Sequence, residues 1–158
     1  MKAHPVVRSF VRPVRWSSTI FSRYELGHHY GAHTDNAIIE DDAGWPLRTD
    51  VSFTLFLSDP ECYDGGALLI QDTGGDRVFK PRAGSVVFYA TSQVHQVVQV
   101  TRGTRLACIG WVQSHIRRPD QREMLFDLEQ VRSGTENAGA ALLLDKTIGN
   151  LIRMWGES

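Results

Sequence analysis

Residues 51–71 read VSFTLFLSDPECYDGGALLIQ, and the punctuation of that stretch decides the fold. Val51–Leu57 gathers β-branched and aromatic residues into a run too short for a stable helix, and Ser58-Asp59-Pro60 ends it, which predicts a strand. Asp64-Gly65-Gly66 predicts a turn and Ala67–Gln71 a second strand beyond it. The same alternation continues outward. Upstream, Thr19–Tyr24 mixes β-branched and aromatic residues. Downstream, Asp72-Thr73-Gly74-Gly75-Asp76 predicts a hairpin loop leading into Arg77–Lys80. Strands are then predicted over Ser85–Tyr89, His95–Val100 and Arg105–Gln113, with Thr101-Arg102-Gly103-Thr104 as the turn between the last two. Closely spaced strands with Gly-rich turns point to a mainly β sandwich or barrel, not a parallel α/β sheet.

The character changes after Pro119. Asp120 with Glu123 predicts a capping-box-like helix start, Asp standing where Ser or Thr is usual. Met124, Leu125, Leu128 and Val131 recur at helical spacing, and Ser133-Gly134-Thr135 breaks the helix. A second helix is predicted over Ala138–Trp155, with Leu144, Ile148, Leu151, Ile152 and Trp155 on one stripe. Both stripes are expected to pack on the sheet, as a C-terminal buttress (about 119–156) to a β core (about 19–114). No internal repeat or low-complexity linker divides the chain, so one domain is expected over 1–158.

Bulk properties exclude several partners. A net charge of -1 leaves no electrostatic case for nucleic acid or an anionic membrane, and Arg8, Arg12 and Arg15 read as a solvated cluster. The two cysteines, Cys62 and Cys108, lack metal-type spacing and favour a reduced, cytoplasmic setting. The opening MKAHPVVR has no apolar run of signal-peptide type. No segment approaches the roughly 20 apolar residues that cross a bilayer.

The chemistry concentrates in His33-Thr34-Asp35, His95 and Arg105. His33 and Asp35 are two apart, so on extended backbone their side chains leave from one side. His95 opens a predicted strand, HQVVQV, with Val97 and Gln99 on its face. Two imidazoles and one carboxylate can hold a metal on one face and leave the other open, the arrangement of non-haem Fe(II) oxygenases. His28 and His29 compete as ligands, since regular extension would give His29, Gly31 and His33 one parity; His33 is preferred for its carboxylate two residues on. His4 and His115 read as surface residues. Arg105 heads an otherwise apolar strand, sharing a face with Ala107, Ile109 and Trp111, where an unpaired cation is costly. An internal carboxylate is its natural partner, since a guanidinium can grip both oxygens. Arg102, in the predicted turn, is the alternative, expected to face solvent. Tyr24 is a second candidate donor to the same carboxylate.

These residues resemble the bacterial PKHD-type hydroxylases, Fe(II)/2-oxoglutarate dioxygenases of the prolyl 4-hydroxylase group. The similarity runs through Phe21-Ser22-Arg23-Tyr24-Glu25-Leu26-Gly27, Gly31–Ile38, Arg48-Thr49-Asp50, Thr54–Ser58 and Tyr63-Asp64-Gly65-Gly66. It continues with His95, Val100-Thr101-Arg102-Gly103, Arg105, Trp111–Ser114 and the tail Asn150–Trp155, and so spans roughly residues 19–155. The resemblance implies a double-stranded β-helix, or jelly roll, with iron held by His33, Asp35 and His95 and 2-oxoglutarate by Arg105. It implies Fe(2+), 2-oxoglutarate as co-substrate and O2, with L-ascorbate as a reductant that returns oxidised iron to Fe(II). The reaction implied is hydroxylation of an unactivated C–H bond of a small-molecule or peptidyl substrate, with decarboxylation of 2-oxoglutarate to succinate. Asp35 favours hydroxylation, because iron halogenases carry a small residue in its place. Family members carry a further N-terminal helical segment, whereas eighteen residues precede Thr19 here. The rival reading is a non-catalytic jelly-roll binding or regulatory domain that retains the metal site; a zinc hydrolase would leave Arg105 unexplained. Glu40–Arg48, with its Trp45-Pro46 pair, is expected at the mouth of the cavity, and a homo-oligomer is left open.

Overall fold

In the computed structural model, which describes residues 1–157, short strands follow one another up to Ser114 and two long helices come after them. The elements run α1 (Pro5–Val11), β1 (Pro13–Trp16), β2 (Ile20–Tyr24), β3 (Tyr30–His33), β4 (Ile38–Glu40), β5 (Pro46–Arg48) and β6 (Val51–Phe56). After a single 3-10 turn at Pro60–Cys62 come β7 (Tyr63–Gly65), β8 (Leu68–Ile70), β9 (Arg77–Phe79), β10 (Val86–Ala90) and β11 (His95–Val97). The last elements are β12 (Val100–Gly103), β13 (Arg105–Ser114), α2 (Pro119–Ser133) and α3 (Ala138–Trp155). They divide into two units, Trp16–Trp111 and the two flanking segments Met1–Arg15 and Val112 onward.

The Trp16–Trp111 unit holds two larger sheets, beside the two-stranded pairs β7–β12 and β4–β5. One carries β2, β13, β6 and β10; the other has the order β3-β11-β8-β9. The pairs β2–β13, β6–β10, β3–β11, β11–β8 and β8–β9 are antiparallel. This is the mainly β, jelly-roll arrangement expected from the sequence. β6 is buried almost throughout, as befits a central strand, and period-2 alternation gives its two faces different tasks. Phe53 meets Trp16 and Phe88 edge-on or tilted, at 5.7 and 6.0 Å between centroids. Phe56, on the other face, joins Leu68 and Ile70 of the second sheet in a core completed by Phe79, Val87 and Tyr89. Ser52 and Thr54 share the parity of Phe56 and are as deeply buried, which obliges each to find a polar partner.

Two predicted turns turn out to be a pair of strands. Thr101–Gly103 and Asp64-Gly65 lie in β12 and β7, which pair with each other. Their glycines serve close backbone approach as much as turning. Gly65 and Gly103 have φ of 69° and 72°, and a Cβ on them would sit 1.9 Å from Gln99 O and 2.1 Å from Cys62 O. Gly103→Ala should therefore destabilise by about 1–3 kcal/mol or more, read as a lower denaturant midpoint at unchanged slope. The strand predicted over 95–100 is interrupted as well. Register shifts between His95 and Val97, Val98 and Gln99 are exposed, and Val100 bonds instead to Gly27 and His28. Gln99 therefore does not continue the His95 face.

In the other unit α2 packs on α1 and α3. Leu125 and Ile148 close around Ile116, with Leu128, Leu151, Ile152 and Trp155 beside them. The α2 start differs from its prediction: Pro119 is the first helical residue, and Asp120 is gripped by the Arg118 guanidinium instead of capping the backbone. Asn137 does cap α3, accepting from Ala140 N at 2.9 Å. α1 carries no periodicity signal long enough to be foreseen. The basic cluster ahead of β2 is only partly solvated. Arg8 is exposed, but Arg12 pairs with Glu129 at 2.6 Å and Arg15 donates to Gln113 at 2.9 Å. Among the described residues no helix is long and apolar enough to cross a membrane.

Candidate active site

Antiparallel pairing of β3 with β11 sets His33 directly opposite His95, and their rings lie 4.3 Å apart. Asp35, two residues past the end of β3, swings between them. Its Oδ1 is 3.6 Å from His33 Nε2 and its Oδ2 3.7 Å from His95 Nε2. Those separations are too long for hydrogen bonds, yet one ligand atom from each residue lies within 4.8 Å of the others. The opposite side of each ring is tied to its own chain. His33 Nδ1 is 2.8 Å from Gly31 O, and His95 Nδ1 is 3.0 Å from Gln93 O. A carbonyl only accepts, so both Nδ1 atoms carry the proton and both Nε2 lone pairs face the common centre. Ser52 donates to Asp35 Oδ2 at 2.7 Å. Two neutral imidazole nitrogens and one carboxylate oxygen converging from one side are the donor set of a mononuclear Fe(II) site with positions left open.

The competing histidines stay out of this cluster. His28 accepts from Glu25 N at 3.2 Å through its Nδ1, and His29, His4 and His115 are exposed. Among the described residues no second group of three His, Cys, Asp or Glu converges in this way.

Arg105 heads β13 opposite Tyr24 and is 1 % exposed, the largest fully buried side chain of the chain. Its Cζ sits 5.2 Å from the Tyr24 ring centroid and 5.3 Å from that of Phe56. Neither Nε nor Nη2 has a hydrogen-bond partner. Burial lowers the pKa of the guanidinium, while the phenols of Tyr63, Tyr24 and Tyr89 act in the opposite direction. Tyr63 is 0 % exposed and its hydroxyl is also unpartnered. It lies near enough to couple to Arg105, but not in hydrogen-bond geometry with it. The ring cannot easily retreat: a Cβ on Gly66 would be 2.9 Å from it, and Lys80 Nζ lies 4.4 Å over its centroid while donating to Tyr63 O. Burial raises the Tyr24 and Tyr63 pKa values, so both remain donors. Unpaired buried donors beside a buried cation are costly in an apolar site, and a carboxylate would satisfy them together. Arg102 is no rival, being exposed and bound by Asp64 at 2.7 and 3.2 Å.

Tyr89 connects the two halves. Its ring meets His95 edge-on at 4.8 Å. Burial and then the Asp35 charge push its pKa up, against the Thr54 hydrogen bond and Arg105. Ser52, Tyr89 and Thr91 escape a reading of motifs, and Tyr63 enters only within Tyr63-Asp64-Gly65-Gly66, with no role attached to it. The one available signal is the parity of β6, which assigns Ser52 and Thr54 to the inward face of Phe56.

Residues 8–113 match the family profile of the 2OG-Fe(II) oxygenase superfamily. The chain belongs to that superfamily. It is accordingly an oxidoreductase of the dioxygenase class, and its relatives agree. A PKHD-type hydroxylase of Maricaulis maris is 48% identical over 99% of this chain and 71% of its own length. Another, of Rippkaea orientalis, is 45% identical over 96% of this chain and 69% of that protein. A third, of Nitrosomonas europaea, is 48% identical over 87% of this chain and 63% of its own. This superfamily member thus spans about two thirds of the length of the relatives it matches. Among solved structures, a Pseudomonas putida prolyl-4-hydroxylase aligns with a TM-score of 0.52 and 28% identity, over 66% of this chain and 56% of that one. A Burkholderia pseudomallei oxidoreductase of the 2OG-Fe(II) oxygenase family, at TM-score 0.50 and 20% identity over 61% and 42% of the two chains, shares the fold.

Proposed function

We propose that this chain is a single-domain Fe(II)- and 2-oxoglutarate-dependent hydroxylase of an unactivated C–H bond, with His33, Asp35 and His95 as iron ligands and Arg105 as co-substrate anchor. The observation that carries the reading is the pairing of one convergent His/Asp/His cluster with one buried guanidinium that lacks a partner. Bound Fe(II), with 2-oxoglutarate and O2, supplies the oxidising chemistry that inserts oxygen into the substrate while the co-substrate becomes succinate and CO2.

The residues do the rest. Gly31 and Gln93 carbonyls keep the imidazoles in the tautomer that presents Nε2. Arg105, whose Nε and Nη2 have no other partner, would hold the distal carboxylate of 2-oxoglutarate, with the Tyr63 and Tyr24 phenols beside it and Phe56 as an apolar wall. Tyr89 closes the space between anchor and cluster. Substrate choice falls to Glu40–Arg48, where the β4–β5 hairpin presents Trp45 at 68% exposure and Asp41 holds the turn through Ala43 N and Trp45 N. The substrate is a small molecule or a peptidyl side chain; relatives named for hydroxylation and prolyl 4-hydroxylation support that breadth. A reduced, cytoplasmic setting, in keeping with the free Cys62 and Cys108, and recycling of the iron by ascorbate complete the proposal.

Succinate formation from 2-oxoglutarate on addition of Fe(II) in air tests the activity. An anaerobic titration separates it from the rival, a binding domain that keeps the metal: the metal-to-ligand absorption band requires both components on one centre. Binding of both without succinate release under any candidate substrate would favour the rival.

A further inference from the structure

Asp35 is held by a chain of two buried hydroxyls. Ser52, on β6, is 1% exposed and its Oγ lies 2.7 Å from Asp35 Oδ2. Thr91, just past the end of β10, is 4% exposed and its Oγ1 lies 3.0 Å from the same Ser52 Oγ. Proton count orients the chain. A carboxylate can only accept, so the one proton of Ser52 points at Asp35. Ser52 then has only lone pairs to offer Thr91, and Thr91 must be the donor of that contact. The sequence Thr91 to Ser52 to Asp35 is thus a directed relay, in which each bond polarises the next and strengthens it.

We propose that Thr91 and Ser52 are positioning residues which occupy Asp35 Oδ2 and leave Oδ1 as its sole metal-binding oxygen. The inference rests on the metal assignment made above and deepens it. A carboxylate free to rotate could present both oxygens and take two coordination positions. The Ser52 bond takes one lone pair of Oδ2 and fixes the carboxylate's rotation, which favours binding through Oδ1 alone and keeps open a position that co-substrate or O2 requires. The three segments involved, the loop after β3, the start of β6 and the turn after β10, converge only in the fold. That is why no local motif marks the relay.

Co(II), a spectroscopic substitute for Fe(II), provides the test. Titration of the whole chain with Co(II) alone should show binding that Ser52→Ala weakens by about 10–100-fold, the usual effect of losing a hydrogen-bond partner of a ligand. The visible absorption of the Ser52→Ala adduct should also change, because Oδ2 becomes free to bind. Thr91→Val, which keeps the shape and removes the donor, should weaken binding several-fold, and Thr91→Ser should restore it. In the Ser52→Ala background Thr91→Val should have no further effect. Should Ser52→Ala not fold, the Thr91→Val and Thr91→Ser comparison decides alone. Wild-type affinity and spectrum in Ser52→Ala, or in Thr91→Val, would overturn the relay while leaving the metal assignment intact. Equal Co(II) binding by wild type and His95→Ala would overturn both.

Discussion

Arg105→Met is expected to weaken 2-oxoglutarate binding by at least about 30-fold while leaving the protein alone as stable as wild type, or more so. The two halves of that outcome have one cause. Arg105 is 1% exposed, and Nε and Nη2 have no hydrogen-bond partner within the protein. An apolar side chain of similar length removes that cost, and exchanges of this kind are often neutral or stabilising by about 1–4 kcal/mol. In the proposed site the same atoms would hold the distal carboxylate of the co-substrate. Removing one partner of such a buried charge pair costs about 2–5 kcal/mol, or roughly 30-fold to several thousand-fold in affinity. Calorimetric titration of the metal-loaded protein with 2-oxoglutarate measures the loss. Thermal melts show the other half: 2-oxoglutarate should raise the wild-type Tm by mass action and leave the Arg105→Met Tm unmoved. Retention of wild-type affinity by Arg105→Met would remove Arg105 from the site.

His95→Ala is expected to cost more than about 100-fold in metal affinity, beyond the usual effect of losing a ligand's hydrogen-bond partner, and to eliminate succinate formation. His95 supplies one of only three converging donors and is the most buried of them. Two donors that remain, His33 and Asp35, are a pair any surface could offer. Metal content after dialysis against Fe(II) or Co(II) gives the direct measurement. Arg105 and Tyr24 lie on other strands, so Arg105 should stay buried and the fold intact in this variant. A His95→Ala protein that still binds one metal tightly would place the centre elsewhere.

How much of this could be read from residues alone follows from the range over which each signal acts. VSFTLFL announces a strand by its own composition, and β6 forms over nearly the expected span. Arg105 stands out because a cation at the head of an apolar strand is locally anomalous, and burial without a partner is what that anomaly becomes in three dimensions. Glycine misled twice. Gly65 and Gly103 read as turn residues, yet each sits in a strand where a neighbouring carbonyl passes too close for a Cβ. The broken register after His95 was likewise invisible, because the bonds that divert Val100 come from Gly27 and His28, far away in sequence. Ser52 looks like an ordinary strand residue until Asp35 and Thr91 arrive beside it. The cap expected at Asp120 is absent because the helix already begins at Pro119, which leaves Asp120 inside the first turn, paired with Arg118.

The short tethers from Gly31 O to His33 and from Gln93 O to His95 have a consequence for how such a centre changes over time. Each ring takes its bearing from a carbonyl two residues behind it, inside a three-residue cassette. Each imidazole thus has a local tether in addition to its ring contacts, among them that of Tyr89 with His95. Strands around the cassettes can drift in sequence, and the cavity can be recut for a new substrate, without turning either ring. Asp35 takes its bearing from Ser52 on β6 and, through it, from Thr91 just past β10, so mutational tolerance should be least along that thread.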